Sequence, residues 1–118
     1  MTKRVDFSGF FDKAHAAGMK AGSEVSVEPM IIGNGKSNYF VPEGVCGFAW
    51  VNIRPARGKF VSWLKNNGIG RTDSYYGGYT ISVNEFGQSM TRKEAYARAF
   101  AGFLKESGIK AHANSRMD

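Results

Sequence analysis

Between residues 6 and 22 the apolar positions recur every three and four residues: Phe7, Phe10, Phe11, Ala14, Ala17 and Gly18. That spacing makes one apolar stripe and predicts a helix. Asp6 or Ser8 can cap its start, and Gly18 or Gly22 can end it through a left-handed residue. Ala14, Ala16, Ala17, Gly18, Ala21 and Gly22 keep the stripe small, so a sheet or a partner can approach closely. Residues 25–32 are β-prone, and Pro29, which lacks an N–H, marks an edge strand or a bulge. Residues 33–38 read as a flexible loop, residues 39–41 as a short strand, and Pro42-Glu43-Gly44 as a turn.

Residues 45–54 give the strongest strand signal. They are apolar on both alternations at first, the pattern of a central strand covered on both faces, and turn half-polar at Asn52 and Arg54. Pro55 ends the ladder. Residues 59–66 read as a short helix with Phe60, Trp63 and Leu64 on one face, ended by Asn67-Gly68. Residues 69–74 are a loop. In residues 75–83, Tyr79, Ile81 and Val83 alternate with Thr80, Ser82 and Asn84, which predicts a strand with one wet face. Tyr75 and Tyr76, as neighbours on that strand, would point to opposite faces. Gly77-Gly78 suggests a bulge or a close backbone approach.

Thr91-Arg92-Lys93-Glu94 has the form of a capping box. The helix it starts runs to about Glu106, with Ala95, Tyr96, Ala99, Phe100, Phe103 and Leu104 buried and Arg92, Lys93, Arg98 and Lys105 mostly off the stripe. Gly108 stops it. Ile109, Ala111 and Ala113 then alternate with polar residues in a last strand, and residues 114–118 form a short polar tail. The order is helix, three strands, helix, strand, helix, strand. It predicts an α+β fold: a small mixed or antiparallel sheet of about five strands with about three helices packed on it.

The 118 residues fit a single domain, residues 1–118, with a helix at 6–22 leading into an α+β body at 25–118. The aromatic share of 14% is high and predicts a core rich in rings. Cys46 lies in an apolar run and reads as a small core side chain. One Cys and two His (His15 and His112) cannot supply the four close ligands of a structural zinc site, and no metal or cofactor motif is present. No secretory signal is visible, and no run approaches the ~18 apolar residues of a membrane span, so the expectation is a cytoplasmic protein.

Charge changes the picture. The net charge is +6, and the whole excess lies after residue 53. No acid occurs from Gly44 to Thr72, whereas Arg54, Arg57, Lys59, Lys65 and Arg71 do. Such a field keeps a protein soluble, and it also attracts polyanions or an acidic partner. Arg54-Pro55-Ala56-Arg57-Gly58-Lys59 joins a strand to a helix N-terminus, where amides and cations can hold an anion. Tyr75 and Tyr76 follow. Cations beside rings are the ingredients of single-stranded nucleic-acid binding. Trp50 and Trp63 are read as core rather than as part of this surface.

Catalytic chemistry finds no support. Neither His15 nor His112 sits in a motif, the acids are spread singly, and the glycine pairs Gly33-x-Gly35 and Gly68-x-Gly70 lack a phosphate-loop context. The reading leans towards a non-enzymatic protein.

The segments Val45-Cys46-Gly47-Phe48-Ala49-Trp50-Val51, Ser89-Met90-Thr91-Arg92-Lys93-Glu94-Ala95 and Ala113-Asn114-Ser115-Arg116-Met117-Asp118 resemble segments of small accessory proteins encoded by tailed bacteriophages and prophages. The resemblance implies action in a bacterial cytoplasm and transfers no catalytic residue. Three functions stay open. The first is nucleic-acid binding through Arg54, Arg57, Lys59, Lys65 and Arg71, helped by Tyr75 or Tyr76. The second is modulation of a host protein such as a defence or replication factor. The third is sequestration of a nucleotide signal at the same anion-binding turn. The small-residue helix and an uncovered strand edge allow a homo-oligomer without requiring one.

Overall fold

The structure is a computed structural model that describes residues 6–25, 30–33, 38–41 and 46–118. Helix α1 (Ser8–Glu24) precedes a two-stranded antiparallel pair, β1 (Met30–Gly33) and β2 (Asn38–Val41). Then follow β3 (Gly47–Ile53), α2 (Lys59–Asn66), the two-residue β4 (Arg71–Thr72), β5 (Tyr79–Ser82), α3 (Met90–Glu106) and β6 (Ala111–Met117). The last four strands make one antiparallel sheet in the order β4-β5-β3-β6. The fold is α+β. The expected features at Pro29, residues 34–37 and Pro42-Glu43-Gly44 lie outside the described residues.

Alternation along the strands decides which face is the core. Ala49, Val51 and Ile53 of β3, Tyr79 and Ile81 of β5 and Ala111 of β6 point one way and are buried. Helix α3 lies on this inner face against β3 and β6, and α1 lies on α3. Phe60, Val61 and Leu64 bring α2 into the same core. Aromatic edges close the seams between helices. Phe10 meets Phe60 and Phe103, each at 5.1 Å between ring centroids, and Phe11 meets Phe100 at 5.6 Å and Trp63 at 5.7 Å. Each such pair adds about 0.5–1.5 kcal/mol beyond its area burial.

The α1–α3 contact is close because two glycines face two rings. A Cβ at Gly18 would fall 2.6 Å from the Tyr96 ring, and one at Gly22 would fall 2.3 Å from the Phe86 ring. The two glycines therefore serve packing, and the helix runs on past both to Glu24. Phe86 takes a positive φ of 66°, a conformation rare for a ring-bearing residue, with its ring set against Gly22. Beside it, Tyr96 Oη and His15 Nδ1 are 2.5 Å apart, and Glu85 Oε2 is 3.7 Å from the same nitrogen. Burial, and secondarily the Glu85 charge, push the Tyr96 hydroxyl well above the ordinary tyrosine range. It therefore keeps its proton to share with His15, a polar tie between α1 and α3.

Several local expectations are corrected. Ser89, not Thr91, caps α3: its Oγ accepts from the Arg92 N–H at 3.3 Å. Lys93 is buried rather than off the stripe, and its Nζ donates to Gly47 O at 3.3 Å. Cys46 is exposed, because β3 starts one residue later and Cys46 forms only an isolated bridge to Ser89. Residues 114–117 belong to β6 instead of a free tail, since β6 pairs with β3 as far as Met117↔Gly47.

One chemical change at two glycines tests this packing. Gly18→Ala should lower the unfolding free energy in urea by about 1–3 kcal/mol through overpacking on Tyr96. Gly102→Ala in α3, where a Cβ meets nothing within 4 Å, should raise it by up to about 1 kcal/mol through helix propensity.

Candidate nucleic-acid interface

Among the described residues, no helix packs on the other face of the sheet. Residues directly opposite one another in an antiparallel pair share a face, so the register sorts the outer side chains into rows. Arg71, Thr80, Asn52 and His112 form one row. Ser82, Trp50 and Asn114 form the next, and Phe48 with Arg116 the third. β3 is thus central but, contrary to its apolar pattern, open on its outer side at Phe48 and Trp50, while Asn52 further along is buried beneath the β4–β5 turn. Phe48 is 41% exposed and Trp50 half-buried, while Gly47 and Ala49 between and beside them are buried on the inner face.

A turn between β4 and β5 raises one wall over this face. The Asp73 N–H donates to Gly78 O at 2.9 Å, and Gly77 and Gly78 take φ of 78° and 76°. These values need glycine. Asp73 Oδ1 accepts from the N–H groups of Tyr75 and Tyr76, each at 2.9 Å, and Oδ2 accepts from Thr80 Oγ1 at 3.3 Å. The Tyr76 N–H, then the Tyr75 N–H, the Thr80 hydroxyl and the nearby Arg71 charge, hold the Asp73 carboxyl below its ordinary range against the opposing effect of desolvation. From below, Asn52 Nδ2 donates to Gly77 O at 3.0 Å and to Thr80 Oγ1 at 3.3 Å. Arg54 Nη2 donates to Tyr76 O.

Tyr75 and Tyr76 therefore sit on a turn, not on opposite faces of a strand. They are 84% and 59% exposed, and their rings meet edge to face at 4.6 Å. Together with Phe48, Trp50, Arg71 and Arg116 they surround an open groove of about 550 Å³ floored by Thr80 and Ser82. The Arg116 guanidinium carbon lies 5.3 Å from the centroid of the Phe48 ring, and Lys93 Nζ lies 5.6 Å from it. Both are within cation–π range.

Of the residues expected from sequence, Arg71, Tyr75 and Tyr76 come together in this groove, and Arg54 braces its wall. Arg57, Lys59 and Lys65 do not line it. Lys59 and Lys65 are on α2, and Lys65 Nζ stands 5.9 Å from the ring of Tyr79, which points to the inner face. Trp63 joins the inner aromatic cluster against Phe60, Phe7 and Phe11, whereas Trp50 lines the groove. Phe48, Trp50 and Arg116 are additions to the expected set. A usable signal was the shared alternation of Asn52, Thr80, Ser82, His112 and Asn114, which marks a wet face to which Phe48 and Trp50 also belong. Among the described residues, no group of three or more His, Cys, Asp or Glu could hold a metal ion, and no helix is long and apolar enough to cross a membrane.

The turn gives a pH prediction. Because folding depresses the Asp73 pKa, its support for the turn is complete above the ordinary carboxylate value of ~4 and is lost as pH falls through the lower folded value. Hydrogen-exchange protection of the Tyr75 and Tyr76 amides, corrected for intrinsic rates, should stay flat from neutral pH down to about 5 and fall below it. Asp73→Ala, which removes the acceptor, should show low protection at every pH. Equal protection in both proteins at neutral pH would mean that the carboxylate does not hold the turn.

No protein-family model, curated protein or solved structure matches this chain, so the reading of the groove rests on its own geometry.

Proposed function

We propose that the protein is a non-enzymatic module that binds single-stranded nucleic acid on the outer face of its sheet. One observation carries this reading: the rings of Phe48, Trp50, Tyr75 and Tyr76 stand around one groove with Arg71 and Arg116 among them. Rings offer stacking surface to any base, and guanidinium groups offer charge and planar hydrogen bonding to phosphates. Among the described residues Arg71 and Arg116 form no salt bridge, although the Arg71 charge also acts on Asp73 at longer range. The one acid in the groove, Asp73, already accepts three hydrogen bonds from the protein.

Stacking on these rings requires base faces, which a duplex hides inside its own stack. Single strands are thus the better ligand. Sequence specificity does not follow, because phosphate contacts position without specifying. The likeness of three segments to phage accessory proteins would set this binding in an infected bacterial cell.

The test is anisotropy of labelled single- and double-stranded DNA and RNA across a salt series. Single strands should bind at micromolar or tighter concentrations with a steep negative salt slope, and duplexes at least about tenfold more weakly. Trp50→Ala should cost about 1–3 kcal/mol, and Arg116→Ala should make the slope shallower by about 0.7. Equal affinity for duplex, an unaffected Trp50→Ala variant, or no binding at low salt would each overturn the reading.

A further inference from the structure

Strands β3 and β6 run side by side beyond the groove. From the Phe48↔Arg116 pair the register passes through Trp50↔Asn114 to Asn52↔His112. The next position of the same parity on β3 is Arg54, just past the strand end, and its N–H donates to Lys110 O at 3.2 Å. Here a second cleft of about 600 Å³ opens, lined by Arg54, Lys105, Lys110 and His112 with Gly108 and Ile109. No acid lines it. The last turn of α3 does not present bare carbonyls to it: those of Phe103, Leu104 and Lys105 accept N–H groups from Ser107, Gly108 and Ile109. Arg54 belongs to both places. One of its nitrogens holds Tyr76 O at the groove wall, and its planar fork has further N–H groups for the cleft.

The rings set a pitch. Side chains two apart on a strand stand about 6.8 Å from one another. Stacked bases are only ~3.4 Å apart. Bases on Phe48 and Trp50 are therefore unstacked from each other, one to a ring, and the strand that carries them is extended. The six steps from Phe48 to Arg54 span about 20 Å, which at that pitch is about three nucleotides.

We infer that the cleft continues the groove. An extended single strand lays two bases on Phe48 and Trp50, passes over Asn114 and His112 of β6, since Asn52 of β3 is buried beneath the turn, and places the phosphates of its next nucleotides between Arg54, Lys105 and Lys110. This rests on the reading of the groove as a nucleic-acid site and adds to it a direction and a minimum length. The occupant is a strand of about four nucleotides or more, not a lone nucleotide.

The experiment is calorimetric titration of the protein with unlabelled oligothymidylates, from mononucleotide to octanucleotide. It is repeated with a Lys105→Ala/Lys110→Ala variant, whose two substitutions lie at exposed positions. Affinity should climb steeply between the dinucleotide and the tetranucleotide and flatten beyond. The double variant should bind the dinucleotide as the parent does and the tetranucleotide about tenfold more weakly. Its salt slope for the tetranucleotide should be shallower by about 1.4, the loss of two phosphate contacts. A dinucleotide bound as tightly as the octanucleotide would overturn the inference and leave the groove reading standing, as would a double variant that weakens both ligands alike. Binding of no oligonucleotide would overturn both. Polyglutamate that binds the parent, loses affinity in the double variant and does not compete with the tetranucleotide would make the cleft a separate protein-docking surface.

Discussion

Tyr96 lies with its ring against the backbone of Gly18, and Phe86 lies with its ring against Gly22. Side chains at those two positions of α1 would hold the helix off α3. Without that approach, Phe10 and Phe11 could not reach Phe60, Phe100 and Phe103, and the aromatic seam over the inner face would open. The seam matters because the core beneath it is built of modest residues. Ala49, Val51, Ala97, Ala101 and Ala111 occupy the space between sheet and α3. Small residues there bring α3 close to the strands but leave the larger share of apolar burial to the rings between the helices. All three helices are thereby committed to one side of the sheet.

That commitment explains why β3 is readable in two ways. Its apolar run meets the pattern of a strand covered on both faces, and only the number of available covers decides otherwise. With α1 stacked on α3 rather than laid on the sheet, no helix among the described residues covers the face that holds Phe48 and Trp50. The positions of the other strands in the same rows are polar: Thr80, Ser82, Asn114 and His112. A sheet with one dry and one wet face is ordinary for antiparallel strands. What is unusual is that the wet face of β3 carries its two largest side chains, while its dry face carries Gly47, Ala49, Val51 and Ile53.

The helices were legible from periodicity, and α2 falls on the residues its pattern marks, Lys59–Asn66. Boundaries governed by a few hydrogen bonds were less so. Thr91 and Ser89 can both cap a helix, and the choice falls to Ser89 because Cys46 bridges back to it and fixes its extended backbone. Tyr75 and Tyr76 read as strand because aromatics favour strands. The Asp73 carboxylate and two left-handed glycines instead fold that stretch into a turn. In the candidate site, charge spacing along the chain pointed to residues 54–71. The fold divides that run, since α2 carries Lys59 and Lys65 away from the outer face. Arg116 is far from Phe48 in sequence, and only the register of β6 on β3 joins them.

The arrangement of the outer face bears on what it is for. Burying a large ring fully is worth about 1.5–3 kcal/mol, and Phe48, Trp50, Tyr75 and Tyr76 forgo much of that by standing at a groove. The backbone that carries the two tyrosines is braced. Asp73, Asn52 and Arg54 together make six hydrogen bonds with the backbone of the turn that carries the tyrosines and with Thr80 beside it: Asp73 with Tyr75, Tyr76 and Thr80, Asn52 with Gly77 and Thr80, and Arg54 with Tyr76. Asn52 does this while its own Oδ1, fully buried, is left without a partner among the described residues. An unpaired buried carbonyl costs about 1–3 kcal/mol. The bracing fixes the backbone from which two exposed tyrosines project opposite Phe48 and Trp50, and so limits where their rings can stand.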